Sequence, residues 1–135
     1  MVDFIMPETG LVILPALILG IIIGIIEIIF VHTDEPGSWF RHAMHAFPFA
    51  IIFVFVNMNV EWIVTLFNIN LPFNIIFIYL IVGIIAFIKI QTAAAIAGRT
   101  GERIWHTLII ALLVVASPYI WQFIGPFVSQ YLPFQ

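Results

Sequence analysis

Four long apolar runs, separated by short polar stretches, dominate the pattern of residues along the chain. They cover roughly residues 11–31, 41–62, 72–97 and 104–124. The hydrocarbon core of a bilayer is about 30 Å thick, and a helix of about 20 apolar residues can cross it. The pattern therefore predicts an all-α integral membrane protein. We expect a four-transmembrane-helix bundle with short loops, in which residues 1–135 form a single transmembrane domain.

Prolines and polar residues lie inside the second and the fourth run. Pro48 lies inside the second run, whose end is broken by Asn57, Asn59 and Glu61. Pro118 lies inside the fourth run. A proline inside a helix removes one backbone hydrogen bond, so we expect a kink at both prolines. The three polar residues are interpreted as the polar end of the second helix, with a subunit contact or a cation site as alternatives.

The composition agrees with a lipid environment. The chain is 64% hydrophobic and 8% charged, whereas a typical soluble domain is about 45–50% apolar and about 25% charged. We expect a multi-pass protein of the plasma membrane, and the abundance of isoleucine is compatible with an AT-rich or archaeal source. The net charge of −3 gives no basis for binding nucleic acid. The absence of cysteine excludes disulfides, iron–sulfur clusters, Cys-ligated zinc and covalent c-type haem.

The four basic residues predict the orientation of the bundle. Arg41 lies beside the first loop, and Lys89, Arg99 and Arg103 lie in or near the third loop. No lysine or arginine remains for the second loop or the two chain ends. Cytoplasmic loops carry the excess of lysine and arginine. We therefore expect an N-out/C-out protein with loops one and three inside the cell.

The first predicted helix carries a thin stripe that ends in an acid. Ala16, Gly20, Gly24 and Glu27 are spaced by four, four and three residues, so they share one helix face. Small residues at this spacing allow a second helix to approach closely. Ionisable residues inside a span usually face protein or water. We expect Glu27 to point at a neighbouring helix and not at lipid.

Lys89 is the predicted partner of Glu27. A second stripe of small residues, Ala86, Ala93 and Ala97, runs along the third predicted helix close to Lys89. We expect these residues to mediate helix packing, and we predict an intramembrane ion pair between Glu27 and Lys89. In the alternative, Lys89 extends to the inner headgroups, and Glu27 is protonated and bonded to a backbone carbonyl.

The histidines are the candidate metal ligands. With the predicted topology, His32, His42, His45 and His106 all lie at the inner face of the membrane. His42 and His45 are three residues apart, so they lie on neighbouring positions of one helix. With His32 and His106, they could hold a transition metal such as zinc, copper or iron. In a second alternative, His45 and His106 hold a b-type haem between two helices.

A simpler interpretation is that the histidines are interfacial residues without a ligand. The segment HAMH lacks the four-residue spacing and the glutamate of the zinc motif H-E-x-x-H. The chain also shows no nucleophile elbow and no glycine-rich phosphate loop. We therefore expect no enzymatic activity of the chain on its own. The sequence does not identify a cofactor.

Three functions are compatible with this pattern. The first is a structural or accessory subunit of a larger membrane complex, such as a redox or monooxygenase assembly, or of a homo-oligomeric array. Its partners would be membrane lipids and other transmembrane subunits, in a hetero- or homo-oligomer. The second is a small oligomeric ion or proton transporter or channel that uses Glu27 and Lys89. The third is a metal- or haem-binding redox subunit that uses the inner-face histidines.

Overall fold

The computed structural model describes residues 10–34, 36–97 and 103–132. The regular elements in these ranges are all helices. They are α1 (Leu14–Asp34), α2 (Trp39–Met58), α3 (Val60–Leu66), α4 (Ile76–Ala97) and α5 (Ile104–Ser129). Of these, α1, α2, α4 and α5 are long and apolar enough to cross a membrane. The prediction of an all-α membrane protein with four transmembrane helices is confirmed.

The four long helices pack as a bundle in which one diagonal pair of helices, α2 and α5, is also in contact. Both α1 and α4 pack against α2 and α5, and α2 also contacts α5 across the middle of the bundle. The diagonal pair α1 and α4 makes little or no direct contact among the described residues. We call the end where α1 and α4 finish, and where α2 and α5 begin, the charged end, because Asp34, Arg41 and Arg103 lie there.

The first helix begins and ends about three residues later than the pattern predicts. Pro15 lies in the first turn, where its missing N–H would have no partner inside the helix. At the other end, the helix continues through the polar residues after Val31. The hydroxyl of Thr33 donates to the carbonyl of Ile29 at 2.9 Å, and Asp34 is bonded to α5.

The second predicted span is divided into two helices at Asn59. In a continuous helix the carbonyl of Phe55 would accept from the backbone N–H of Asn59. The side-chain amide of Asn59 takes that place at 2.8 Å, and its backbone N–H donates to the carbonyl of Val56 instead. The short helix α3 follows and therefore extends beyond the predicted end of the span at residue 62.

Asn68 ends α3 and turns the chain toward α4. Its φ of 51° places it in the left-handed region, which asparagine tolerates better than most residues. The N–H of Ile69 donates to the carbonyl of Val64, and the N–H of Asn68 donates to the carbonyl of Thr65. These are the two hydrogen bonds of a Schellman motif. The fourth element then begins at Ile76, four residues later than predicted.

The last helix is longer than predicted and contains both Pro118 and Pro126. Pro118 has no N–H, so it leaves the carbonyl of Val114 without its usual partner. The hydroxyl of Ser117 donates to that carbonyl at 2.7 Å, and a second donor comes from α2. This local compensation allows the helix to continue to Ser129.

Candidate functional site

The stripe of small residues on α1 is covered by α2. A Cβ atom added at Gly20 would lie 3.1 Å from the Cα of Ile51, and one added at Gly24 would lie 2.5 Å from the ring of Phe47. Ala16 is fully buried as well. The two contacts also fix an antiparallel register, because four residues forward on α1 correspond to four residues backward on α2.

Glu27 lies one turn beyond Gly24, and its exposed fraction is 0%. The register of the two glycine contacts places Glu27 level with Met44 of α2. His42, two residues away from that level, also has an exposed fraction of 0%. The bundle thus contains two fully buried ionisable side chains at nearly the same depth, on two helices that pack together.

In the part of the chain that it describes, the structure does not place Lys89 beside Glu27, as the predicted ion pair would require. Lys89 lies on the exposed side of α4, and α4 is diagonal to α1 in the bundle. The physical reason is the order of the helices, because the helix that covers Glu27 is α2. An exposed Lys89 is compatible with the alternative interpretation, in which its long side chain extends to the inner headgroups, and that interpretation stays a prediction.

The second stripe of small residues faces the interior only in part. On α4, Ala86 is fully buried, whereas Ala93 is only partly buried. The side chain of Ala97 lies outside the described residues. The close approach on α4 occurs at Gly83, where an added Cβ would collide with Val115 of α5.

The four histidines have four different environments. His32 is exposed, and its ring contacts Trp39 edge to face, with 5.4 Å between the ring centroids. His45 is exposed, and His42 is buried. His106 is partly buried and stacks on Phe30, with 4.3 Å between the ring centroids.

Asp34 links the end of α1 to the start of α5. Its Oδ2 atom lies 2.7 Å from Nδ1 of His106 and accepts from the backbone N–H of Arg103 at 3.0 Å. Its Oδ1 atom lies 3.3 Å from Nε of Arg103. The side chain of Asp34 is only 2% exposed, whereas that of Arg103 is 73% exposed. The carboxylate therefore caps the N-terminus of α5 from another helix, where negative charge is favourable.

The structure does not bring the four histidines together as metal ligands. No group of three or more His, Asp or Glu side chains within the described ranges could hold a metal ion. His42 and His45 diverge because three residues on a helix leave an angle of about 60° between side chains, enough to separate a buried from an exposed position. Glu35 and Glu102, two acids that lie close to these histidines in the sequence, are outside the described residues.

The arrangement also differs from the predicted b-type haem site, in which His45 and His106 would face each other from two helices. His45 lies on the exposed side of α2, whereas His106 turns toward α1 and engages Asp34 through Nδ1. The described residues therefore offer no support for the metal- or haem-binding alternative.

Asn57 and Asn59 make buried contacts. From the sequence, they were interpreted as part of the polar end of the second helix. Asn57 is 1% exposed, and its amide donates to the carbonyls of Val114 and Val115 at 2.7 and 3.2 Å. Asn59 is 1% exposed and pairs with both the N–H and the carbonyl of Val12, at 2.6 and 3.0 Å. Glu61, in contrast, is exposed.

One further polar contact crosses between α4 and α5. The hydroxyl of Thr107 donates to Oε1 of Gln91 at 2.8 Å, and Thr107 is fully buried. Together with Asp34, Asn57 and Asn59, this contact ties the elements of the bundle to one another through polar side chains.

Comparison of the chain with protein-family models, with curated proteins and with solved structures found no match.

Proposed function

We propose that the protein is a structural or accessory subunit of a larger membrane complex, for example a redox or monooxygenase assembly, or of a homo-oligomeric array, without catalytic activity of its own. The observation that supports this role is the direction of its polar groups. Asn57, Asn59, Thr107 and Asp34 all bond to other segments of the same bundle. Their chemistry is used to hold the four helices together.

What the bundle offers to its surroundings is mainly apolar. The outward side of α4 carries exposed isoleucines over two helical turns, and α1 does the same on its outer side. Lipid chains or the helices of other subunits can cover such a surface, because both are apolar and pack against it by van der Waals contact. The exposed residues on α4 include Ile81, Ile84, Ile85 and Ile88, and those on α1 include Ile21, Ile22, Ile25 and Ile29.

Photo-crosslinking in native membranes tests this proposal. A photoreactive residue at Ile84 probes the outer side of α4, and one at Ile25 probes the outer side of α1. We expect a discrete crosslinked protein product from at least one position, and its mass distinguishes a second copy of this 15.3 kDa chain from a different subunit. Crosslinks to lipid alone from both positions, together with purification of the chain by itself, would exclude the accessory role.

A second candidate function is transport of protons or ions by an oligomer. It is supported by the burial of Glu27 within a span, since intramembrane carboxyl groups mark ion and proton pathways in many membrane proteins. Lys89, the other residue of this hypothesis, lies on the exposed side of α4. Flux in proteoliposomes that Glu27→Gln abolishes would support transport, and leakage equal to that of empty vesicles would exclude it.

We also propose the plasma membrane as the location and the N-out/C-out arrangement as the orientation. The distribution of basic residues supports both loops at the charged end being cytoplasmic. Cysteine tags at the two chain termini, labelled from one side with an impermeant reagent, should both react from outside the cell. Labelling of either terminus only after permeabilisation would contradict this orientation.

A further inference from the structure

Glu27 and His42 occupy the same interior region of the bundle. Glu27 lies seven residues before the end of α1, which corresponds to about 10 Å along the helix axis from the charged end. The α1–α2 register places His42 about 3 Å nearer to that end. Both side chains have an exposed fraction of 0%. Water at the charged end is therefore closer to His42 than to Glu27.

The number of protons on the two groups is constrained by their surroundings. A net charge is costly in a protein interior that is itself surrounded by lipid. An ionised Glu27 beside a neutral His42 would leave a net charge of −1, and a protonated Glu27 beside a protonated His42 would leave +1. With one proton shared by the two groups, the net charge is zero. That is true whether the carboxyl group or the imidazole ring holds the proton.

Among the residues that the structure describes, the other charged side chains of the packed helices are exposed or bonded elsewhere. Lys89 of α4 is exposed on the far diagonal from α1. On α5, Arg103 and His106 are engaged with the buried carboxylate of Asp34. The remaining ionisable residues of α1 and α2 near the charged end are exposed, namely His32, Arg41 and His45.

From this arrangement we propose that Glu27 and His42 form a single proton-binding site inside the bundle. The two groups hold one proton between them and titrate as a unit, with His42 on the side of the charged end. Removal of this proton leaves a buried carboxylate, and addition of a second leaves a buried imidazolium. The site is compatible with both of the proposed functions, because it requires neither a partner subunit nor a flux.

Spectroscopy of the full chain in lipid nanodiscs tests the proposal. Infrared spectra report the carbonyl stretch of a protonated carboxyl group, and nitrogen NMR of histidine-labelled protein reports whether the His42 ring is neutral or charged. Glu27→Gln and His42→Gln assign the two signals. Glu61→Gln and His45→Gln are matched controls, because both of these residues are exposed and should leave the two signals unchanged.

At neutral pH, we expect the wild-type protein to show one of the two protonated species, a carboxylic acid at Glu27 or an imidazolium at His42. In Glu27→Gln, whichever of these two signals the wild-type protein shows should be lost. The His42 ring should then be neutral. In His42→Gln, Glu27 should give the carbonyl stretch of a protonated acid. An ionised Glu27 together with a neutral His42 in the wild-type protein, or protonation of both, would overturn the proposal. So would an imidazolium that persists in Glu27→Gln.

Discussion

The side-chain amide of Asn57 on α2 donates at 2.7 Å to the carbonyl of Val114 on α5, which is the carbonyl that Pro118 deprives of its backbone partner. The hydroxyl of Ser117 reaches the same oxygen. The amide on α2 thus supplies the hydrogen bond that the proline on α5 removes. This contact joins α2 to α5, the diagonal pair of helices that is in direct contact.

We predict that Asn57→Leu lowers the free energy of unfolding by about 1 kcal/mol, because interhelical hydrogen bonds in membranes average about 0.6 kcal/mol and reach about 1.7. Unfolding equilibria in mixed detergent micelles measure this change. The double variant Asn57→Leu/Ser117→Ala should lose more than the sum of the single changes, since Val114 then lacks both side-chain donors.

Pro118→Ala provides the matched control for this contact. An alanine at 118 restores a backbone N–H four residues after Val114. In that background, Asn57→Leu should cost clearly less than in the wild-type protein. An equal cost in both backgrounds would show that the stabilisation by Asn57 does not depend on the carbonyl that Pro118 leaves open.

The second prediction concerns the packing of α1 on α2. Gly20→Ala should destabilise the bundle by about 1–3 kcal/mol, in the range of overpacked cores, because the added Cβ would lie 3.1 Å from the backbone of Ile51. Gly24→Ala should also destabilise it, but here the added atom meets the ring of Phe47. A smaller side chain at position 47 should relieve the Gly24 variant and leave the Gly20 variant unrelieved.

Gly37→Ala is the control for both glycine variants, because an added Cβ there has no atom within 4 Å. Its free energy of unfolding should stay within about 0.5 kcal/mol of the wild-type value. Equal tolerance of alanine at positions 20, 24 and 37 would contradict the close packing of α1 on α2.

The third prediction separates Lys89 from Glu27. Lys89→Met should leave the unfolding free energy undiminished, to within about 0.5 kcal/mol, because Lys89 is exposed on α4 and α1 lies across the diagonal. Lys89→Glu serves as the harsher comparison, since it places an acid at a lipid-exposed position. A loss in Lys89→Met that disappears in the Glu27→Gln background would restore the ion pair predicted from the sequence.

These residues show which features the sequence could reveal. The four spans and the stripe from Ala16 to Glu27 follow from composition and helical periodicity, which depend on one helix at a time. The partner of Glu27 depends on the order of helices around the bundle, and a pattern of charges does not contain that order. The prediction paired two opposite charges on helices that turn out to be diagonal.

The sequence contains a signal for the contact of Asn57, and the interpretation of the four runs did not include it. Pro118 inside a span implies an open carbonyl at Val114, and an open carbonyl inside a membrane requires a donor. Asn57 was one of the few amides available on another span. Each proline inside a span implies that another residue donates a hydrogen bond to the open carbonyl. This rule would have suggested the pair of Asn57 and Val114, but not the helix register that brings the two residues together.

The last prediction concerns the cap that Asp34 places on α5. Asp34→Ala removes the acceptor of the backbone N–H of Arg103 and the partner of His106. Loss of a helix cap costs about 1 kcal/mol, so the first turn of α5 should exchange its amide hydrogens roughly five times faster. Hydrogen–deuterium exchange of the peptide that begins near Arg103 measures this directly. Asp34→Asn retains one side-chain carbonyl acceptor and should show a smaller increase, while the exchange of the middle of α5 stays unchanged in both variants. If Asp34→Ala leaves the first turn as protected as in the wild-type protein, the contact between α1 and α5 does not stabilise this end of the bundle.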